Sequence, residues 1–247
     1  MGRSGRRTQQ FKHFQVSDDA CGMKVGTDAL VLGSWAGEWT LKQGRSPKRI
    51  LDVGTGSGIL ALMVAQRFPS ATIDAIELEQ DAVTQATENV AASPFSDRIT
   101  VYHCALQGWQ PETPYDLIVV NPPFFHNHPK STDSKRNLAR HDDSLPLEVL
   151  LSHSRRLMAL HGELAVVYPE DRAEALANAL SVSGLHQVCR IRLQSSPDHG
   201  VIRSLWALTN KQDVGSESQQ WVIEREPLVW GKEVGARLGP FLLNESP

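Results

Sequence analysis

Arg49-Ile50-Leu51-Asp52-Val53-Gly54-Thr55-Gly56-Ser57-Gly58-Ile59-Leu60 is the stretch on which the fold turns. An apolar run with strand character enters a glycine-rich turn, which opens into a helical pattern from Ile59 to about Phe68. Glycines in such a turn let the backbone come close to a ligand, with a helix N-terminus behind it. The spacing is Gly-x-Gly-x-Gly, with Asp52 two residues before the first glycine. A dinucleotide fingerprint needs its third glycine at position 59, where this chain has Ile59. The turn therefore argues for a nucleotide-like ligand and against a nicotinamide cofactor.

Outward from that turn, the next apolar run, Thr72-Ile73-Asp74-Ala75-Ile76, ends at Glu77. A carboxylate about twenty residues after such a loop accepts the hydroxyls of a ribose in doubly wound sites. Standing alone, an acid near a helix start would be an ordinary N-terminal charge. Farther on, Tyr115-Asp116-Leu117-Ile118-Val119-Val120 reads as a buried strand ended by Asn121-Pro122-Pro123-Phe124. An amide, a rigid carbonyl and an aromatic ring at a strand end suit a planar group bearing an exocyclic amine. The Asn121 side-chain oxygen and the Pro122 carbonyl accept from the amine, and Phe124 offers a stacking face. An Asn-Pro turn by itself has a blander explanation, since strands often end this way.

Strand and helix patterns alternate along the chain. Strands are expected near 48–53, 71–76, 98–103 and 115–120, with helices over 59–68 and 79–92. After the Asn-Pro-Pro stretch, 125–144 is polar without apolar period, a length that in a compact domain marks a functional or disordered loop. A helix over Pro146–Leu160, a strand over Glu163–Tyr168, a helix over Glu170–Ser183 and strands near 186–194 and 201–209 follow. From about Trp221 the pattern reads as a strand pair carrying Trp221 and Trp230, packed on the sheet edge. Alternation of this kind implies βαβ units and a mostly parallel sheet. Residues 1–20 read as a basic, flexible arm leading to alternating Phe11, Phe14 and Val16, and 21–247 as one domain.

The length of 247 residues suits a single α/β domain, and an apolar content of 40% is too high for a disordered chain. Cys21, Cys104 and Cys189 share no metal-like spacing, and their odd number fits a reducing compartment. No apolar segment follows the basic N-terminus as in a secretory signal, and Ile59 to Ala65 is too short to cross a bilayer. A soluble cytoplasmic protein is expected, without membrane, metal or obligate protein partner. The net charge of −3 argues against an obligate nucleic-acid binder, but the charge is uneven. Arg3, Arg6, Arg7 and Lys12 precede the first acid, Asp18, while Lys130, Lys135, Arg136 and Arg140 follow the Asn-Pro-Pro stretch. Such patches suit a structured RNA more than a protein partner.

Taken together, Asp52 to Gly58, Glu77 and Asn121 to Phe124 resemble the Rossmann-fold, S-adenosylmethionine-dependent methyltransferases that methylate amino groups. Met23-Lys24-Val25-Gly26-Thr27-Asp28 and Ala139-Arg140-His141 narrow the resemblance to the bacterial valine-tRNA adenine-N6-methyltransferases, over nearly the whole chain. It implies an α/β, doubly wound, Rossmann-like class I sheet, mostly parallel with an antiparallel strand near the C-terminal end. It also implies methyl transfer from S-adenosylmethionine to N6 of adenosine 37 in the anticodon loop of valine tRNA. By the same resemblance, Asn121, Pro122, Pro123 and Phe124 carry catalysis. Lys24, Thr27, Asp52, Gly54, Gly56, Gly58, Glu77 and Ala105 hold the cofactor, and Arg6, Arg7, Lys12 and Arg140 meet the tRNA.

One position departs from the pattern. Ala105 follows the third strand where many relatives carry an Asp toward the cofactor's adenine amine, leaving that recognition to backbone and packing. His126 and His128 lack a third ligand nearby and are better read as surface histidines. His141 is as compatible with a structural role in the loop as with acid–base work. Lys24 and Asp28 have a plain alternative in an ion pair at a helix start. Two other enzyme classes share the Asn-Pro-Pro-aromatic signature, namely ribosomal-RNA guanine-N2 and protein-glutamine N5-methyltransferases. The latter usually carry a helical domain before the glycine-rich loop, and only about fifty residues precede it here. A binding-only module has no need of the amine acceptors.

Overall fold

The computed structural model describes residues 8–122 and 145–243. A short hairpin, β1 (Thr8–Gln10) and β2 (Gln15–Ser17), precedes helices α1 (Thr27–Trp35) and α2 (Glu38–Lys42). Then come β3 (Arg49–Val53), α3 (Ile59–Arg67), β4 (Thr72–Glu77), α4 (Gln80–Ala91), β5 (Ile99–His103) and β6 (Tyr115–Val120). The C-terminal part carries α5 (Leu147–Leu157), β7 (Met158–Pro169), α6 (Ala173–Ser183), β8 (His186–Gln194), β9 (Val201–Thr209) and β10 (Glu217–Val222). A hairpin of β11 (Glu224–Glu226) and β12 (Val229–Trp230) leads into α7 (Lys232–Leu238).

Eight strands form one sheet in the order β10-β8-β9-β7-β6-β3-β4-β5. Within it β9 runs antiparallel to both β7 and β8, and every other neighbouring pair is parallel. This is the doubly wound sheet expected, with its antiparallel strand near the C-terminal end. Alternation along β6 shows why both faces are apolar. Leu117 and Val119 join a core with α1, α3 and α7, whereas Ile118 and Val120 join another with α5 and α6. The order reverses between β3 and β6. The crevice beyond their carboxyl ends is where ligands bind in open sheets of this kind.

The arm expected over residues 1–20 is part of the fold from Thr8 onward. Phe11 stacks on Phe14 with ring centroids 4.7 Å apart, and both sit with Val16 in the core. Burying two aromatic rings outweighs the polar, basic composition that made the segment look free.

Three other boundaries differ from expectation. The helix expected to Leu160 ends at Leu157, because Met158 already pairs with Tyr115 before a register irregularity leads to Leu117 opposite Glu163. Residues Glu170–Arg172 form a 3-10 turn before α6 rather than its first turn. Trp221 lies in β10, which extends the main sheet parallel to β8, so the terminal strand pair is β11–β12 and holds only Trp230. Gly231 then folds the chain back onto β10: a Cβ there would stand 1.8 Å from the Val222 carbonyl oxygen.

Glu163 shows how a distant residue organises the N-terminal helices. Fully buried on β7, its carboxylate accepts the Gly37 and Thr40 N–H groups and the Thr40 hydroxyl, each at 2.9 Å. A carboxylate at a helix N-terminus satisfies donors that α2 cannot pair internally. Burial nevertheless pushes the Glu163 carboxyl above its usual range, the three hydrogen bonds opposing that rise.

Candidate active site

The glycine-rich turn leaves β3 with Gly54 and Thr55 both donating to the Ile76 carbonyl, at 2.9 and 3.1 Å. Gly54 and Gly56 have φ of 68° and 56°, and a Cβ on either would meet no atom within 4 Å. The turn is therefore bare on one side, which gives a ligand direct access to its backbone. On the other side it closes against α4, with Ala86 3.6 Å from the Cβ position of Gly58, the residue preceding α3.

Asp52 grips this turn from behind. No part of it is exposed, and one carboxylate oxygen accepts the Thr55 hydroxyl at 2.5 Å and the Ala61 N–H at 3.0 Å. Burial pushes its carboxyl up to about 7, those two bonds pulling it down and the charge of Glu77 adding to the rise. Expected among the cofactor ligands, Asp52 holds the turn through one oxygen, while its other oxygen is buried with no hydrogen-bond partner among the described residues.

Glu77 closes the end of β4. One carboxylate oxygen accepts Gly56 N–H at 2.9 Å, and the other accepts Leu78 and Glu79 N–H at 2.7 and 3.0 Å. Half-buried Ala105 sits two residues beyond β5, and the preceding Cys104 N–H donates to the Glu77 carbonyl at 2.9 Å. The turn, Glu77 and Ala105 thus line one edge of the sheet.

Asn121 joins them through strand register. Val120 pairs with Val53, so Asn121 and Gly54 are the next residues on neighbouring parallel strands, about 4.8 Å apart in that direction. Asn121 and Pro122 are half-buried at the switch point. Pro123, Phe124, Arg140 and His141 lie outside the described residues, as do Arg3, Arg6 and Arg7.

The segment before α1 makes other contacts than those expected. Lys24 Nζ donates to the carbonyls of Asp18, Asp19 and Cys21, at 2.6, 3.1 and 3.2 Å. Asp18 accepts the Val25 N–H at 2.9 Å, so residues 18–25 form a closed loop with Lys24 at its centre. Lys24 is thus a strut of this loop, and Asp28 pairs with Arg203 at 3.0 Å, tying α1 to β9 and not to Lys24. Thr27 is half-buried at the start of α1. Cys21 of the loop is buried, and its thiol is pushed up to about 11 by burial and then by the Glu77 charge. Lys12 is also occupied within the fold, its N–H donating to Phe241 O at 2.7 Å and its Nζ to Gly239 O at 2.5 Å.

Sequence reading overlooked Asn89. Buried on α4, it donates to the carbonyls of Ser17 and Ser57 and accepts the Ser17 N–H. Its signal was an asparagine on the face of α4 that Ala82, Ala86 and Val90 make apolar. Among the described residues no group of histidine, cysteine, aspartate or glutamate could hold a metal ion.

Residues 39–174 match the family model of the methyltransferase small domain. The tRNA1(Val) (adenine(37)-N6)-methyltransferase of Parabacteroides distasonis is 42% identical over 236 residues, covering 95% of this chain and 97% of that one. The chain belongs to that family. Its Aeromonas hydrophila relative of the same name is 46% identical over 190 residues, covering 76% and 77%. Among solved structures, an Agrobacterium tumefaciens protein described as a predicted O-methyltransferase superposes with a TM-score of 0.64. It is 18% identical, covering 87% of this chain and 96% of that one. The N-methyltransferase NodS of Bradyrhizobium japonicum, solved with S-adenosyl-L-homocysteine, has a TM-score of 0.50 at 15% identity, covering 74% and 84%. At these identities both establish the fold alone.

The cofactor of the tRNA1(Val) (adenine(37)-N6)-methyltransferase family fits the residues present. S-adenosylmethionine carries a ribose, an adenine and a zwitterionic amino-acid tail. The open Cβ positions of Gly54 and Gly56 leave room beside the turn, and the Glu77 carboxylate stands next to it, of the type that ribose hydroxyls require in doubly wound sites. Beyond β5 the chain presents Ala105, with no side-chain acceptor of its own.

Proposed function

We propose that this chain transfers a methyl group from S-adenosylmethionine to N6 of adenosine 37 in the anticodon loop of valine tRNA, in the cytoplasm. The observation that carries the reading is the register of β3 and β6. It sets Asn121 and Pro122 beside the glycine-rich turn at one end of the sheet. Relatives of the same name, up to 46% identical, support the substrate assignment.

S-adenosylmethionine supplies, when bound, an electrophilic methyl group on a positively charged sulfur. The adenine amine is a weak nucleophile because its lone pair is delocalised into the ring. Asn121 Oδ1 and the Pro122 carbonyl each accept one N–H of that amine, drawing it toward a tetrahedral geometry that frees the lone pair. Proline fixes φ at 122 and keeps that carbonyl in place. Positioning and fixed dipoles do the work, and the proton leaves after transfer, so no strong base is needed. Phe124 stacks on the extruded base, and an anticodon-loop base costs little to extrude.

Nucleoside mass spectrometry of tRNA treated with the purified protein and labelled cofactor tests the reading. N6-methyladenosine appearing in valine tRNA supports it. Methylated guanosine in ribosomal RNA, or a methylated glutamine in protein with unmodified tRNA, replaces it.

A further inference from the structure

Asn89 lies outside every motif, yet it is the only side chain among the described residues that bonds both the glycine-rich turn and the N-terminal segment. Its amide donates to Ser57 O at 2.8 Å, one residue before Gly58, and to Ser17 O at 2.7 Å. Its oxygen accepts Ser17 N–H at 3.0 Å, so Ser17 is held by both of its backbone groups, as a strand neighbour would hold it. Ser17 leads directly into the loop that Lys24 and Asp18 close, and that loop brings Cys21 under the influence of Glu77. With 6% of its surface exposed, Asn89 is fully committed to these partners.

We infer that Asn89 is a positioning residue for the cofactor: it joins the glycine-rich turn and the loop of residues 18–25 into one rigid wall. The inference rests on the reading that this turn holds S-adenosylmethionine. A side chain placed merely to stabilise α4 would need no bond to Ser57, since α4 is already seated through Ala82, Ala86 and Val90. Without the Ser57 bond, the carbonyl before Gly58 loses its buried donor, and the turn whose open side meets the ligand is free to shift. Ordering it again on binding then costs affinity.

The test is cofactor binding by calorimetry, without RNA, on wild type, Asn89→Asp, Asn89→Ser and Val90→Ala. Asn89→Asp keeps the size and the Ser17 N–H bond but turns both donations into repulsion; Asn89→Ser is the milder variant should Asn89→Asp fail to fold. Val90→Ala is the control, removing buried carbons from the same helix without touching the turn. The dissociation constant should rise about tenfold or more in the Asn89 variants, the loss of a buried hydrogen bond. It should stay within about twofold in Val90→Ala at a similar loss of melting temperature, with tRNA affinity and kcat at saturating cofactor near wild type in all. Unchanged cofactor affinity in a folded Asn89 variant, or an equal rise in Val90→Ala, overturns the inference. Absence of cofactor binding by the wild-type protein overturns the reading beneath it.

Discussion

Glu77 Oε2 accepts the backbone N–H of Gly56 at 2.9 Å, so the carboxylate proposed for a ribose also pins the glycine-rich turn. Its other oxygen holds the N–H groups of Leu78 and Glu79 just ahead of α4. One side chain thus couples the turn, the end of β4 and the start of α4. Glu77→Ala should weaken cofactor binding by roughly 1.5–3 kcal/mol, the worth of charge-assisted hydrogen bonds. RNA affinity should not change. Calorimetry returning wild-type cofactor affinity would remove Glu77 from the site.

Asn121→Ala should fold and bind cofactor normally while slowing methyl transfer about a hundredfold or more, as for other single preorganised polar groups. The alanine leaves the β6 backbone and its pairing with β3 intact, so stability should barely move. Single-turnover rates within a few-fold of wild type would show that the amine is not held by this amide.

Asp52 predicts a pH dependence of stability with a definite sign. Its folded carboxyl is raised from 3.8 to about 7, so its contribution is fully present below the unfolded value and is lost as pH rises through about 7. The buried Glu163 is raised as well, so wild type alone mixes the two groups. The difference between wild type and Asp52→Asn isolates the first. Urea midpoints should show a wild-type decline between about pH 4 and 7 that is smaller in Asp52→Asn. Parallel curves over that range would mean Asp52 is charged throughout.

The basic residues of the N-terminal segment separate into two groups with different outcomes. Deleting residues 2–7 removes Arg3, Arg6 and Arg7 and leaves β1 whole. It should weaken tRNA binding and flatten its log–log salt dependence by about 0.7 to 0.9 per lost phosphate contact. Lys12→Ala should leave that slope alone and lower the melting temperature, because Lys12 Nζ is bonded to Gly239 O. A flattened slope in Lys12→Ala, or none in the deletion, would reverse the assignment.

Local chemistry was legible wherever neighbours in the chain carry it. Gly54 to Gly58, Glu77 and Asn121-Pro122 each announce a strand end by composition, and parallel strands necessarily bring such ends to one edge of a sheet. The doubly wound fold followed from the alternation of apolar runs, as did the helices that begin near Ile59 and Gln80. Contacts across long stretches of chain were not legible, because no periodicity encodes them. Asn89 reaches Ser17 over 72 positions, Glu163 reaches Thr40 over 123, and Lys12 reaches Gly239 over 227. Lys24, Asp52 and Lys12 found intrachain partners that their residue types did not announce: the exposed lysines reach carbonyls that the fold brings within range, and the buried carboxyl of Asp52 takes the donors of the turn beside it. The sequence by itself determined which elements form and what chemistry meets at the strand ends. Tertiary structure alone decided which polar groups hold that site in shape, because their bonding follows from packing and not from spacing.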